Sequence, residues 1–308
     1  MNKKILAAIF AATISLTTIN TAEANQSQPA TLAILDTAID TSLPVFKNVI
    51  VQEVCILEWN SCPNGSSFME GPGAASMPAN LINKNGFDHG TKMAHAAVAT
   101  NPNVKIVFIR IIGSTSNGVR QVTNEPTFVN AFNWVLNNRN KYNIQAIAMS
   151  QGHHNLGFGP NYCPSTPLTE SAINNLVNAG IPVFLPAGNV RDLSRVSWPS
   201  CISSALTISA TVFGDGPAIY TNFDINRTDY FAMGSMRLFA PGGTMVNEAG
   251  TSVSTQVAAA LYMFLKNKNP NYSYSQMLSL LDSKSVQTTG RRAVAKGKLL
   301  SPEVILRG

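Results

Sequence analysis

The stretch GTSVSTQVAAALYMF, residues Gly250–Phe264, joins a polar start to an apolar continuation. From Val257 onward it is almost wholly apolar, which predicts a helix that is buried on all sides. Ser252, near the start, lies outside this apolar run. A small hydroxyl at the entrance of a core helix is either an N-cap or a nucleophile. The rest of the chain decides between these two interpretations.

The composition favours one large α/β domain or two small ones. The chain has 308 residues, of which 45% are hydrophobic and 12% are charged, so it can bury a large core. The net charge of +6 is spread along the chain, without a long run of Lys and Arg. This pattern argues against disorder and against a nucleic-acid groove, so no nucleic-acid partner is expected.

The N-terminal segment has the pattern of an export signal. Two lysines precede the apolar run 5–19, and residues 22–24 fit a small-x-small cleavage site. We predict a signal peptide over residues 1–24 and a secreted or periplasmic protein over residues 25–308. Because no later run is long enough to span a bilayer, no membrane anchor is expected.

The four cysteines favour disulfide bonds over free thiols, because their number is even and the chain is predicted to be exported. The proposed pairs are Cys55–Cys62 and Cys163–Cys201. A metal site is not expected, because no spacing resembles Cys-x-x-Cys and histidine is scarce.

Short apolar runs alternate with helical patterns along the rest of the chain. Continuous apolar runs are typical of parallel strands that are covered on both faces. The predicted strands are Thr31–Leu35, Asn48–Val54, Val104–Ile112, Ile144–Met149, Ile181–Leu185 and Ala205–Ala210. The predicted helices are Gly90–Thr100, Thr127–Asn138, Leu168–Ala179, the helix from Ser252, and Gln276–Ser283 after a capping box at Ser273. This alternation predicts a three-layer α/β/α fold with a doubly wound, mostly parallel sheet.

Four polar residues lie where such a sheet places its sites. Asp36 directly follows the first predicted strand, Asn189 comes a few residues after the fifth, and His89 and Ser252 stand at helix entrances. Each has an ordinary explanation when it is taken alone, such as an Asx-turn for Asp36. Together they form a set that can supply a nucleophile, a base, an orienting acid and an oxyanion donor.

The phrases around these residues resemble the motifs of the subtilisin-like serine proteases, the subtilase family. The matching phrases are LDTAID at 35–40, HGT at 89–91, MSQG at 149–152, PAGN at 186–189, APG at 240–242 and GTS at 250–252. They occur in the family's order and cover nearly all of the chain after residue 25. The order acid, base, nucleophile differs from that of other triad folds.

The resemblance implies a subtilisin-like fold and a secreted serine endopeptidase that acts on proteins or peptides as a monomer. Ser252 would attack the peptide carbonyl, His89 would act as base and then as acid, and Asp36 would orient the imidazole. Asn189 and the backbone N–H of Ser252 would stabilise the oxyanion. The implied substrate-binding residues are Ser150, Gln151, Gly152, Ala187 and Gly188.

The chain also departs from the family's pattern. Gln256 stands where a proline usually follows the nucleophile, Lys92 replaces a second histidine, and Gln151 replaces a leucine, which is expected to make the S1 pocket more polar. The connection 100–103 leaves no room for the calcium loop that many members carry there, so no cofactor is expected at that place, while calcium elsewhere stays open. Residues 25–29 leave no evident prodomain, which predicts folding unaided or with a partner in trans.

Two other classes of function remain as alternatives. A catalytically inactive subtilase-like binding module would keep the fold without the chemistry, but the presence of all four polar residues argues against it. A lipase or esterase is disfavoured, because the chain has no Gly-x-Ser-x-Gly motif and the acid precedes the base and the nucleophile.

Overall fold

The computed structural model describes residues 29–115, 117–121, 124–153, 163–212, 216–288 and 297–307. The predicted signal peptide, residues 1–24, lies outside these residues. The strands are β1 Thr31–Asp36, β2 Ile50–Ile56, β3 Phe68–Glu70, β4 Lys105–Arg110, β5 Ile144–Met149, β6 Val183–Pro186, β7 Leu206–Val212, β8 Gly216–Pro217, β9 Thr228–Met233, β10 Ser235–Phe239, β11 Met245–Ala249, β12 Val286–Gln287 and β13 Lys298–Leu300. The helices are α1 Ala79–Ile82, α2 His89–Thr100, α3 Glu125–Asn138, α4 Pro167–Asn178, α5 Thr251–Lys268, α6 Tyr274–Lys284 and α7 Pro302–Arg307, with a 3-10 turn at Pro44–Phe46.

The six predicted strands and five predicted helices are all present, with small shifts at their ends. The capping box predicted at Ser273 is present, with Gln276 as its partner. The sequence did not predict β9, β10 and β11, which follow one another between β7 and α5. Polar residues interrupt these three strands, and only β9 buries three consecutive residues, so they lack the continuous apolar run that marks a central strand.

Eleven of the described strands form one sheet, in the order β12-β13-β9-β7-β6-β5-β1-β4-β2-β3, with β8 paired to β7. The pairs from β2 through β4, β1, β5, β6 and β7 to β9 are parallel, and the short strands β3, β8 and β12 pair antiparallel. The chain changes direction at β1, because β4 and β5 lie on opposite sides of it. Such a switch point opens a crevice at the carboxyl edge of the sheet.

Helices cover both faces of this sheet. Along β1, Leu32 and Ile34 pack into one core cluster with residues of α2, α5, α6 and α7. Ala33 and Leu35 face the opposite cluster, which contains residues of α3 and α4. This alternation follows the two-residue period of a strand and gives the predicted three-layer α/β/α fold.

Helix α5 is the central element of one layer. Its residues are buried over nearly the whole length, from Thr251 to Lys266, and it contacts β1, β5, β6, β7 and β9. None of the helices in the described part of the chain is long and apolar enough to cross a membrane. The packing of α5 against these strands holds its start at the carboxyl edge of the sheet.

Two disulfide bonds join the four cysteines in the pairs that the sequence suggested. Cys55 of β2 is bonded to Cys62 in the following loop, with their Cα atoms 5.9 Å apart. Cys163, which precedes α4, is bonded to Cys201 in the loop between β6 and β7, with a Cα–Cα distance of 5.5 Å. The second bond closes the longer loop, since it spans 38 positions against 7 for the first.

Candidate active site

Asp36 and His89 meet at the carboxyl edge of the sheet. Asp36 ends β1 and is fully buried, and its Oδ1 lies 2.7 Å from Nδ1 of His89, the first residue of α2. The His89 side chain keeps 20% of its surface exposed. When Nδ1 carries the proton, it donates to the carboxylate and leaves Nε2 as the acceptor. The pair thus has the geometry of a base oriented by an acid.

The turn after β1 holds the start of α2 against this pair. The Thr37 hydroxyl accepts from the backbone N–H of Gly90 at 2.8 Å and donates to the Phe87 carbonyl at 2.8 Å. A Cβ atom on Gly90 would lie 2.5 Å from the backbone oxygen of Ala38, a distance that real Cβ atoms do not reach. Glycine after His89 therefore allows the close approach that brings the imidazole to Asp36.

Ser252 is the second residue of α5, and it is not the N-cap. Gly250 occupies the N-cap position, and no side chain caps this helix. Among the hydrogen bonds of the described residues, none involves the Ser252 hydroxyl, and hence none joins it to His89. The Ser252 backbone carbonyl accepts from the Ser150 hydroxyl at 3.1 Å, which fixes the start of α5 beside the end of β5.

Gln151 connects the end of β5 with the acid–base pair. Its Nε2 donates to Oδ1 of Asp36 at 3.0 Å and lies 3.4 Å from Nδ1 of His89. Its Oε1 accepts from the Arg120 guanidinium. Family resemblance suggested a polar pocket wall at Gln151, but it gave no sign of this contact with Asp36.

The two oxygens of the Asp36 carboxylate differ in their hydrogen bonding. Oδ1 accepts from His89, from Gln151 and from the backbone N–H of Thr37 at 2.7 Å. The buried Oδ2 has no hydrogen-bond partner among the described residues. The three donors share one oxygen, so the Gln151 amide competes with the imidazole for that atom.

Asn189 lies three residues beyond β6 and is oriented by the start of α5. Its Oδ1 accepts from the backbone N–H of Thr251 at 2.8 Å and from the Thr251 hydroxyl at 3.0 Å. Since the amide oxygen is engaged, the NH₂ group is left to donate to a group in the cleft. Asn189 is exposed, as such a donor requires.

The conformation of the loop before Asn189 requires a glycine at 188 and is also fixed by Thr251. Gly188 has φ +114°, and a Cβ there would collide with the side chains of Ser197 and Asn222. Its N–H donates to the Thr251 hydroxyl at 3.1 Å. Thr251, which the sequence did not single out, therefore positions both residues of this loop. In the sequence, the one indication of this role was the position of Thr251 in the polar start of an otherwise apolar helix.

The proposed substrate-binding segment 150–152 continues β5 along the edge of the cleft. The Ser150 hydroxyl accepts a hydrogen bond from Nε2 of Gln256 at 3.0 Å. Gln256, which stands where the family usually has a proline, therefore connects α5 to this segment. Gly152 and Gln151 line a cavity of about 270 Å³ together with Arg120. Ala187 and Gly188 follow β6, across from this segment, and which of these residues touch a substrate stays a prediction.

Charged and aromatic contacts fasten α2 to the hairpin of β10 and β11. Lys92 forms ion pairs with Asp88 at 2.9 Å and with Glu248 at 2.7 Å. Burial acts to lower the pKa of Lys92, but hydrogen bonds with Glu248 and Asp88 raise it above the usual value. Burial lowers the pKa of His95, whose Nδ1 accepts from the Phe239 N–H at 2.8 Å. His95 is thus a neutral packing residue in this layer.

Metal-ligating side chains do not cluster in the described ranges: no group of three or more His, Cys, Asp or Glu residues is placed to hold an ion. The connection 100–103 between α2 and β4 is short, and the Asn101 amide in it donates to the Ala260 carbonyl at 3.3 Å. Whether the protein binds calcium stays a prediction.

The amino-acid sequence is similar to those of known proteases. An alkaline protease of Alkalihalobacillus alcalophilus is 25% identical over 217 residues, which make up 67% of this chain and 51% of that protein. Subtilisin BL of Lederbergia lenta is 25% identical over 217 residues, covering 67% of this chain and 72% of its own. The chain thus spans about half the length of the first relative and a larger share of the second.

A solved structure shows the same fold. The crystal structure of a cold adapted subtilisin-like serine proteinase aligns with a TM-score of 0.66 and 18% identity, over 89% of this chain and 88% of that one. The sequence model of the Subtilase family matches residues 27–298. That range contains all the candidate site residues, and the chain therefore belongs to the subtilase family.

Proposed function

We propose that this chain is a serine endopeptidase that hydrolyses peptide bonds in proteins or peptides. The observation that carries the proposal is the 2.7 Å contact between the buried Asp36 carboxylate and Nδ1 of His89, at the edge where α5 presents the unengaged Ser252 hydroxyl. Membership of the subtilase family supports the same reaction.

In the first half of the reaction, Nε2 of His89 takes the hydroxyl proton as Oγ of Ser252 attacks the substrate carbonyl carbon. The negative charge that develops on the carbonyl oxygen accepts hydrogen bonds from Nδ2 of Asn189 and from the Ser252 backbone N–H. Collapse of this intermediate breaks the C–N bond, and His89 gives its proton to the leaving amine. An acyl ester on Ser252 remains.

In the second half, His89 takes a proton from water while the water oxygen attacks the acyl carbon. Collapse releases the carboxylic acid product, and the proton returns to Oγ of Ser252. Asp36 stays ionised throughout and stabilises the imidazolium that forms in each half. The Ser252–His89 hydrogen bond is expected to form when a substrate enters, because such contacts are often long in free enzymes.

The substrate is expected to bind as an extended strand along residues 150–152, with main-chain hydrogen bonds to that edge. No metal takes part in the proposed reaction. The predicted export signal and the two disulfides support a secreted or periplasmic location, and a monomer is sufficient for the chemistry.

Hydrolysis of a denatured protein mixture and of matched peptide and ester substrates tests this proposal. Ser252→Ala is expected to abolish peptide cleavage, whereas Ser254→Ala, on the same helix, is expected to keep it, because the Ser254 hydroxyl only donates to the Thr251 carbonyl. Peptide binding without cleavage in the unaltered chain would favour the inactive binding module. Cleavage of esters but not of peptides would favour an esterase.

A further inference from the structure

Arg110, the last residue of β4, is a buried cation that the proposed reaction does not use. It is only 2% exposed, and its backbone pairs in register with Asp36 on one side and with Cys55 on the other. Its Nε donates to the Ile112 carbonyl at 3.1 Å and its Nη1 to the Ser76 carbonyl at 3.1 Å. A guanidinium has five N–H donors, so donors remain for a further acceptor.

No carboxylate neutralises Arg110 within the described part of the chain. None of the ion pairs there includes it, and burial, without a charged neighbour, lowers its pKa to about 10. The two adjacent strands each carry a buried carboxylate, and both are engaged elsewhere. Glu53 accepts from Thr41 and from the Ala75 N–H, and Asp36 accepts from its partners in the acid–base site. A buried charge without a counter-ion destabilises the folded state. Binding of an anion to this side chain of Arg110 is therefore expected to stabilise the fold.

A cavity of about 630 Å³ opens onto Arg110. Asn60, Ser61, Ser114 and Thr115, whose side chains carry amide or hydroxyl groups, are among the residues that line it. Among the described residues that line it, Arg110 carries the only charge, and none is acidic. A cavity with one buried cation and several neutral donors has the chemistry of an anion site.

We propose that this cavity binds a small oxyanion, a phosphate or a carboxylate, through the guanidinium of Arg110. The planar fork of an arginine donates two parallel hydrogen bonds to such groups, and the hydroxyls of the wall supply donors for the remaining oxygens. Its lining shares no residue with the cavity beside Gln151 and Gly152. The two cavities are neighbours, because the Ser61 hydroxyl in the wall of one donates to Oε1 of Gln121 in the wall of the other.

Calorimetric titration of the full mature chain tests this proposal. Inorganic phosphate and acetate are titrated separately at constant ionic strength, in a Ser252→Ala background that prevents self-cleavage. At least one of them is expected to bind saturably at a single site, and the two arms distinguish the two anions. Arg110→Met is expected to weaken binding by about tenfold or more, whereas Arg237→Met, at an exposed position of β10, is expected to leave it unchanged.

A second variant keeps the test decisive if Arg110→Met does not fold. Ser114→Glu places a carboxylate on the cavity wall, where it can pair with Arg110. It is expected to raise the unfolding temperature in anion-poor buffer and to abolish the binding of the added anion. The absence of saturable binding of both anions to the Ser252→Ala chain, or unchanged binding by Ser114→Glu, would overturn the proposal.

Discussion

Replacing Gln151 by leucine tests the unusual contact at the acid–base pair. The substitution keeps the approximate side-chain volume but removes the amide that donates to Asp36 and lies 3.4 Å from Nδ1 of His89. That amide N–H points its positive end toward the same oxygen as the imidazole N–H. It therefore opposes the positive charge that the ring acquires in the transition state, and its removal is expected to stabilise that transition state.

The size of the effect follows from Coulomb's law at the observed distance. Two unit charges 3.4 Å apart interact by about 5 kcal/mol at an effective dielectric constant of about 20. An amide N–H carries about a third of a charge, which gives about 1.5 kcal/mol, and the more distant amide oxygen offsets part of this. Since a tenfold change in rate corresponds to about 1.4 kcal/mol, kcat/KM is expected to rise by about three- to tenfold.

The assay is kcat/KM on a neutral peptide substrate, which reports the free energy of the transition state relative to free enzyme and substrate. Gln121→Leu is the matched control, because Gln121 lines the same cavity as Gln151 and its side-chain hydrogen bond is with the Ser61 hydroxyl. Loss of a hydrogen bond to a charged group also lowers stability, by about 1.5–3 kcal/mol, so unfolding is measured separately. An unchanged or lower kcat/KM in folded Gln151→Leu would refute the reasoning.

Three further predictions address the oxyanion donor, the disulfides and a buried histidine. Asn189→Ala is expected to lower kcat by about 10²- to 10³-fold with little change in KM, and steady-state kinetics showing an unchanged kcat would remove Asn189 from this role. Removing the Cys163–Cys201 bond by double alanine substitution is expected to lower the free energy of unfolding in urea by about 4 kcal/mol, against about 2 kcal/mol for Cys55–Cys62. The difference arises because the two bonds close loops of 38 and 7 positions. Equal losses would contradict the loop-entropy explanation. Burial lowers the pKa of His95 below 6.5 in the folded state, so its contribution to stability is present above pH 6.5 and is lost as the pH falls below it. The drop in unfolding free energy between pH 7 and pH 5 is therefore expected to be smaller in His95→Gln, and an identical drop would show that His95 does not contribute.

The sequence predicts the central part of the fold because the central strands are covered on both faces. Such strands appear as continuous apolar runs, so β1 and β5 could be located to within a residue. The outer strands β9, β10 and β11 could not, because their mixed composition is also typical of loops. The helix from Ser252 was also predicted, and Ser252 is its second residue, half-buried between the buried Thr251 and Val253.

Individual side-chain contacts in the site could be predicted only in part. The contact between Asp36 and His89 follows from the family resemblance. No periodicity or motif in the sequence indicates that the Gln151 side chain points toward Asp36. Its direction depends on how the end of β5 packs against Arg120 and the carboxylate. Arg110, by contrast, can be recognised in the sequence, because a single charged residue inside the apolar run 106–112 indicates a buried cation.

The most direct test of the proposed chemistry is covalent labelling of the folded chain with a fluorophosphonate, followed by peptide mass mapping. We expect one adduct per molecule, on Oγ of Ser252, because only an activated serine displaces fluoride at an appreciable rate. The label is expected to be lost in His89→Ala and after unfolding. A folded chain that acquires no adduct, or acquires it on another residue, would contradict the assignment of Asp36, His89 and Ser252 as a catalytic triad.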